Sequence, residues 1–154
     1  MMILTSSDVI ETPDVHFQPF RDRQRAIEKE LHFHCACSRC RAGASTDKAL
    51  EQIRSAQQIL DDWSSESLAT PNDALNLIRQ YKEEGFEAFL DVPYGYAALA
   101  YNAIGDPAKA GRYATLAADV LFSHGRIEDS GYAEWEELAS NPEIHWSWLG
   151  RPHQ

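Results

Sequence analysis

The chain has 154 residues, 44% of them apolar and 25% charged, which suffices for a buried core and excludes a disordered or low-complexity composition. Its net charge of −10 repels phosphate backbones and argues against a nucleic-acid partner. No apolar run approaches the ~20 residues of a membrane span, and the Met1-Met2-Ile3-Leu4 start lacks the basic flank and apolar length of a secretory signal, so the expected setting is cytoplasmic or nuclear, with no membrane partner.

Residues 1–20 mix β-branched residues with Pro13 and Pro19 and show no helical period, which predicts a strand or extended arm. From Arg21 to Leu31 strong helix formers dominate, and Ile27 and Leu31, four apart, predict one apolar face of a short helix. That helix leads into Leu31-His32-Phe33-His34-Cys35-Ala36-Cys37-Ser38-Arg39-Cys40, where all three cysteines of the chain form one C-x-C-x2-C cluster. Structural zinc takes four tetrahedral ligands, so three thiolates leave one position to fill. His32 is a better candidate than His34, because the immediate neighbour of a ligand seldom turns onto the same ion. The same residues also fit a turn packed with reduced thiols, and clustered thiols suit a reducing compartment. Redox catalysis by C-x-x-C is expected beside a βαβ pattern, which this sequence does not predict. The basic residues Arg21, Arg23, Arg25, Lys29, Arg39 and Arg41 are diluted by Asp22, Glu28 and Glu30.

After the break at Ala42-Gly43-Ala44-Ser45, Ser45 or Thr46 caps a helix expected to reach Trp63, with Leu50, Ile53, Ile59 and Leu60 as its apolar stripe. A polar loop at Ser64-Ser65-Glu66-Ser67 precedes Thr70-Pro71-Asn72-Asp73, which combines a cap oxygen, a proline at the first helical position and an acid in the first turn. The resulting helix carries Leu75, Leu77, Ile78 and Tyr81 and stops at Gly85. Pro93 opens a further helix through Tyr101 to Ile104. Gly105-Asp106-Pro107 is a tight turn whose Asp106 caps a helix ending at Gly125. A last helix covers Tyr132 to Ala139, and Pro142 ends it. Ile144, Trp146, Trp148 and Leu149 make the tail apolar enough that it should dock.

These elements predict a mainly α fold: a helical bundle with a tetratricopeptide-like hairpin and a short N-terminal extended arm. It is expected to be a single domain over residues 1–154, with the arm and cysteine knuckle in 1–45 and the helical region in 46–154. The alanine-rich segment from Tyr96 to Ala114, with its Gly-Asp turn, is what resembles a tetratricopeptide hairpin. One hairpin falls short of the about three repeats that a peptide-gripping solenoid needs.

Tyr94, Tyr96, Tyr101, Tyr113, Trp135, Trp146 and Trp148 either fill the core or line an aromatic pocket with hydroxyl and indole donors. The candidate substrate-binding set is Tyr94, Tyr101, Trp135, His145 and Trp146; no residue stands out as catalytic. His124, before Gly125, fits a helix-terminal cap, and His145 fits a satisfied structural histidine. The pairs Asp61-Asp62, Glu83-Glu84 and Glu136-Glu137 read as solvated faces. There is no Gly-rich phosphate loop, H-E-x-x-H or G-x-S-x-G motif.

An extended arm, then a helix ending in Leu31-x-Phe33-x-Cys35-x-Cys37-x2-Cys40, then a helical region resembles the C-terminal half of SET-domain protein lysine methyltransferases, especially MYND-type and fungal forms. The tail from Asn141 to Trp148 is similar to the endings of fungal members. The resemblance implies that Cys35, Cys37 and Cys40 are post-SET zinc ligands, completed in that family by a cysteine of the SET core, and that the helices wall one side of the substrate cleft. The family's Asn-His-Ser-Cys segment has no counterpart in this sequence. Asp14-Val15-His16-Phe17 falls near its Ile-Ser-Tyr motif, with Phe17 in place of the catalytic tyrosine. The expectation is therefore a SET-domain remnant without methyltransferase activity, needing no cofactor beyond a structural zinc. In fungal secondary metabolism such a remnant would bind a hydrophobic small molecule and promote a shape-directed, pericyclase-like cyclisation or isomerisation. A homo-oligomer would cover the apolar surface left by the missing core. The alternative is a non-enzymatic protein-interaction or accessory module.

Overall fold

Proline, glycine and aspartate set most of the helix boundaries in the computed structural model, which describes residues 17–152. Seven α-helices and no strand occur among the described residues, in line with the expected helical bundle. Most of the arm expected over residues 1–20 lies outside the described residues; its end, Phe17 to Pro19, turns into the first helix. The chain forms two compact units, one closing at Arg54 and one opening at Ser55.

In the first unit, α1 (Phe20–Leu31) and α2 (Ser38–Ala42) precede the start of α3 (Ser45–Leu60). Pro19 has no side-chain oxygen with which to cap α1, and Asp47 of α3 substitutes for it by accepting the Phe20 N–H at 2.8 Å. The stripe of α1 that carries Ile27 and Leu31 is buried at its first turn rather than its last, since Arg23 and Gln24 lie one turn before the half-buried Ile27 on the same side. Leu31 is 41% exposed, whereas Arg23 and Gln24 are buried. Hydrogen bonds to the surrounding groups offset most of the cost of burying these two polar side chains, the Arg23 Nε–H being left without a partner.

In the second unit, α3 ends at Leu60, three residues before the expected stop. Leu60 joins Leu50 and Ile53 in being buried, but Ile59 is 46% exposed. One residue before Leu60 is about 100° around the helix, enough to face solvent. In α4 (Pro71–Glu83) the Asp73 carboxylate accepts the Thr70 N–H at 2.8 Å and the Thr70 hydroxyl at 3.1 Å, which fixes the helix start. Leu77, Ile78 and Tyr81 are buried, as their spacing predicts. A 3-10 turn (Glu87–Phe89) leads into α5 (Asp91–Ala103), and Asp106 then caps α6 (Pro107–Ser123) by accepting the Lys109 N–H at 3.1 Å. Ala97, Ala98, Ala100 and Ala103 of α5, and Ala110, Ala114, Ala117 and Ala118 of α6, are all buried. These small side chains let the two helices of the hairpin approach closely. α5 packs on α4 and α6, and α6 packs on α7 (Ser130–Ser140).

The tail docks as expected, with polar attachments besides the apolar ones. Ile144 and Trp146 are exposed, the latter at 61%, whereas Ser147 and Arg151 are buried. Asn102 of α5 donates to Ser147 Oγ at 2.8 Å and to the Pro142 carbonyl at 2.9 Å, and Arg151 donates to the carbonyls of Leu60 and Asp62. Leu149 takes a left-handed conformation (φ 53°) and packs against Gly105, where a Cβ would lie 2.9 Å from Leu149 Cδ2. No helix among the described residues is long and apolar enough to cross a membrane.

Candidate functional site

Three cysteines converge on one side of the first unit. Cys35 lies in the extended link after α1, Cys37 is the N-cap of α2 and Cys40 is inside α2. All three are reduced, and their sulfurs lie within 4.8 Å of one another. A tetrahedral zinc with bonds of ~2.3 Å places its sulfurs about 3.8 Å apart, so small side-chain rotations close the set onto one ion. The donor chemistry fits: three thiolates form a soft site suited to zinc.

The knuckle is held from α1. Gln24 donates its amide N–H to the Cys35 carbonyl at 2.8 Å and accepts the Cys35 N–H at 3.1 Å, fixing the backbone on both sides of that residue. Arg41 Nε donates to the Ala36 carbonyl at 2.7 Å. The backbone N–H of Cys40 points at the Cys37 sulfur and lowers that thiol to about 7, whereas burial pushes the Cys40 thiol up to about 11. The exposed Cys37 is thus the first of these two to become a thiolate. His32 is exposed at the left-handed C-cap of α1, with its N–H on the Glu28 carbonyl. The ligand-atom cluster consists of the three sulfurs and includes neither His32 nor His34.

The aromatic candidates separate into distinct settings in the second unit. Tyr101 is buried and stacks on Tyr113 at 5.6 Å between ring centres, and Tyr94 lies 6.3 Å from the same ring. Trp135 packs against the cluster that contains Tyr101, and its indole crosses α5 at Gly95. A Cβ at Gly95 would lie 2.4 Å from Trp135 Cζ2, so only glycine admits the ring there. Beside this contact Asp91, Val92, Gly95, Tyr96, Leu99, Gly131 and Trp135 line an open cleft of about 300 Å³. Tyr96 donates to Asp61 Oδ1 at 2.6 Å, and burial together with that carboxylate pushes its hydroxyl up to about 12. Asp91 pairs with Arg126 at 2.9 Å; burial, the larger effect, raises its carboxyl above the usual range.

His145 and Trp146 belong to the tail. His145 Nδ1 lies 2.7 Å from Ser147 Oγ and Nε2 lies 3.1 Å from Glu134 Oε1. A serine, a histidine and a glutamate in contact suggest nucleophilic catalysis, but Ser147 is fully buried and its oxygen already accepts from Asn102. The trio therefore fastens the tail. Trp146 packs edge-on against Trp63 at 4.8 Å, and Arg151 lies 3.6 Å above the Trp63 ring. His124 Nδ1 lies 2.9 Å from the Val120 carbonyl at the end of α6.

Comparison with protein-family models, curated proteins and solved structures found no match for this chain. Among the residues that build the cysteine site, Gln24 was not singled out in the sequence and Arg23 was named only as one of six diluted basic residues. The signal that could have found them is their spacing, four and three residues before Ile27, which puts both on the stripe that Ile27 and Leu31 mark.

Proposed function

We propose that the chain is a zinc-knuckle module for protein interaction, related to the C-terminal region of SET-domain methyltransferases. The convergence of the Cys35, Cys37 and Cys40 sulfurs within 4.8 Å carries this reading. Three thiolates leave one position on a tetrahedral ion, and the exposure of Cys37 makes it reachable from solvent. A histidine or cysteine of a partner protein is the ligand that turns such a site into a point of attachment; His32 is the internal competitor. Exposed Leu31 and Phe33, in the segment leading to the cysteines, offer apolar contact for the same partner.

Native mass spectrometry of protein purified with zinc present tests this reading. One zinc per chain, lost in Cys37→Ser and Cys40→Ser, supports it, and a zinc-free wild type overturns it. Subunit number in the same spectrum tests homo-oligomer formation.

A second reading rests on the cleft at Trp135 and Tyr96, whose volume is at the lower end of the ~300–1,000 Å³ of ligand pockets. A hydrophobic metabolite held there, with the Tyr96 hydroxyl as polar handle, could be folded for a shape-directed cyclisation or isomerisation. An apolar molecule that copurifies with the wild type and is lost in Trp135→Ala would favour it. A wild type without such a molecule leaves the zinc-knuckle reading ahead.

A further inference from the structure

Among the described residues of the first unit Arg23 is the largest side chain removed from solvent, at 2% exposed, and none of the ion pairs among the described residues includes it. Its Nη1 donates to the Gln18 carbonyl at 2.9 Å, and its Nη2 to Thr46 Oγ1 at 3.1 Å and, more weakly, to the Arg39 carbonyl at 3.5 Å. Its Nε–H has no hydrogen-bond partner. These partners are neutral. They satisfy donors, and the Phe20 ring lies 5.8 Å from the guanidinium, but none of these groups carries a negative charge, and a buried charge without a counter-charge is costly. The Arg39 carbonyl that Nη2 faces belongs to the residue before Cys40, the buried member of the cysteine cluster, which sets the guanidinium beside it, where it acts to lower the Cys40 thiol against the larger effect of burial.

With a neutral fourth ligand such as histidine, three thiolates around a divalent ion carry one net negative charge, which one guanidinium offsets. We propose that Arg23 is the built-in counter-charge of the metal-loaded cysteine cluster, held buried beside Cys40 so that the ion with its three thiolates forms an electrically neutral centre with the arginine. This inference rests on the zinc-knuckle reading and adds to it the residue that favours deprotonated, metal-bound cysteines in a buried setting. Arg23 touches no ion directly and is a positioning residue. Its neighbour Gln24 fixes the Cys35 backbone, so adjacent residues of α1 supply the charge and the geometry of the site.

The test is a cobalt(II) titration of the full chain, read by thiolate-to-cobalt charge-transfer absorbance and the ligand-field bands, with zinc competition for affinity. Wild type, Arg23→Lys and Arg23→Gln are compared, with far-ultraviolet circular dichroism as the check on folding. Lysine keeps the charge and loses the planar fork, whereas glutamine keeps some hydrogen bonding and loses the charge. The expected result is lysine binding within about threefold of wild type and glutamine weaker by roughly 10- to 100-fold, the range of outer-shell effects on metal sites. Equal losses in the two variants would mark Arg23 as a hydrogen-bonding bridge and overturn the proposal, as would glutamine binding like wild type. If Arg23→Gln does not fold, Arg23→Met replaces it, because an apolar side chain of similar length removes a buried charge without itself needing solvation. A wild type that takes up neither cobalt nor zinc overturns the metal reading itself, and the counter-charge with it.

Discussion

In the first unit the side chains withdrawn from water include Arg23, Gln24 and Thr46 alongside Cys40, Leu50 and Ile53; in the second they are chiefly alanines, leucines and aromatics of α4 to α7. Apolar burial stabilises at roughly 25 cal/mol per Å², whereas an intramolecular hydrogen bond contributes only about 1 kcal/mol net. The helical unit thus has the means to hold itself together. The knuckle unit relies on polar clamps and, on the zinc-knuckle reading, on a bound ion.

The largest effect that could break this contrast is metal removal. Chelation of the zinc-loaded protein should abolish amide protection over residues 20–42 in hydrogen exchange while leaving tryptophan fluorescence unchanged, since Trp63, Trp135, Trp146 and Trp148 all belong to the second unit. Binding energy in small zinc domains is folding energy, of order 10 kcal/mol. Unchanged protection would mean that the polar clamps suffice without the ion. Next in size, Leu77→Ala should lower the unfolding free energy of the helical unit by about 2–5 kcal/mol in urea, because Leu77 has no exposed surface. Leu31→Ala in the knuckle unit should stay within about 0.5 kcal/mol.

Gly95→Ala sharpens the contrast from the packing side. Its methyl would overlap Trp135, and a cost of about 1–3 kcal/mol with shifted tryptophan emission is expected. Asp73→Ala should cost about 1 kcal/mol through loss of the cap on α4, read by thermal melting. The smallest effect is Glu83→Gln. The exposed Arg79–Glu83 pair, at 2.9 Å on one face of α4, should contribute no more than about 0.5 kcal/mol, and less in high salt.

How legible each feature was depended on how local its cause is. Thr70, Pro71 and Asp73 announce α4, and Asp106 and Pro107 announce α6, because a cap and the backbone it satisfies lie within three residues. The cysteine cluster was legible for the same reason. Arg23 and Gln24 were legible only by their place on the Ile27 stripe, since their bonds reach Arg39, Thr46 and Cys35, and partners so distant leave no local mark in sequence. Ile59 failed through phase: one position beside a buried leucine is enough to turn it outward. The tail docks as its apolar residues predict, with Trp146 on Trp63 and Leu149 on Gly105, but the attachments through Ser147 and Arg151 were not legible, because their partners lie far away in sequence.

Arg151 gives the second unit a temporal order. The carbonyl of Leu60 is paired with a residue 91 positions later, so during synthesis the end of α3 is left to water until almost the whole unit has emerged. α4 to α7 can pack as they emerge, but the clasp cannot close before residue 151 is free to reach α3.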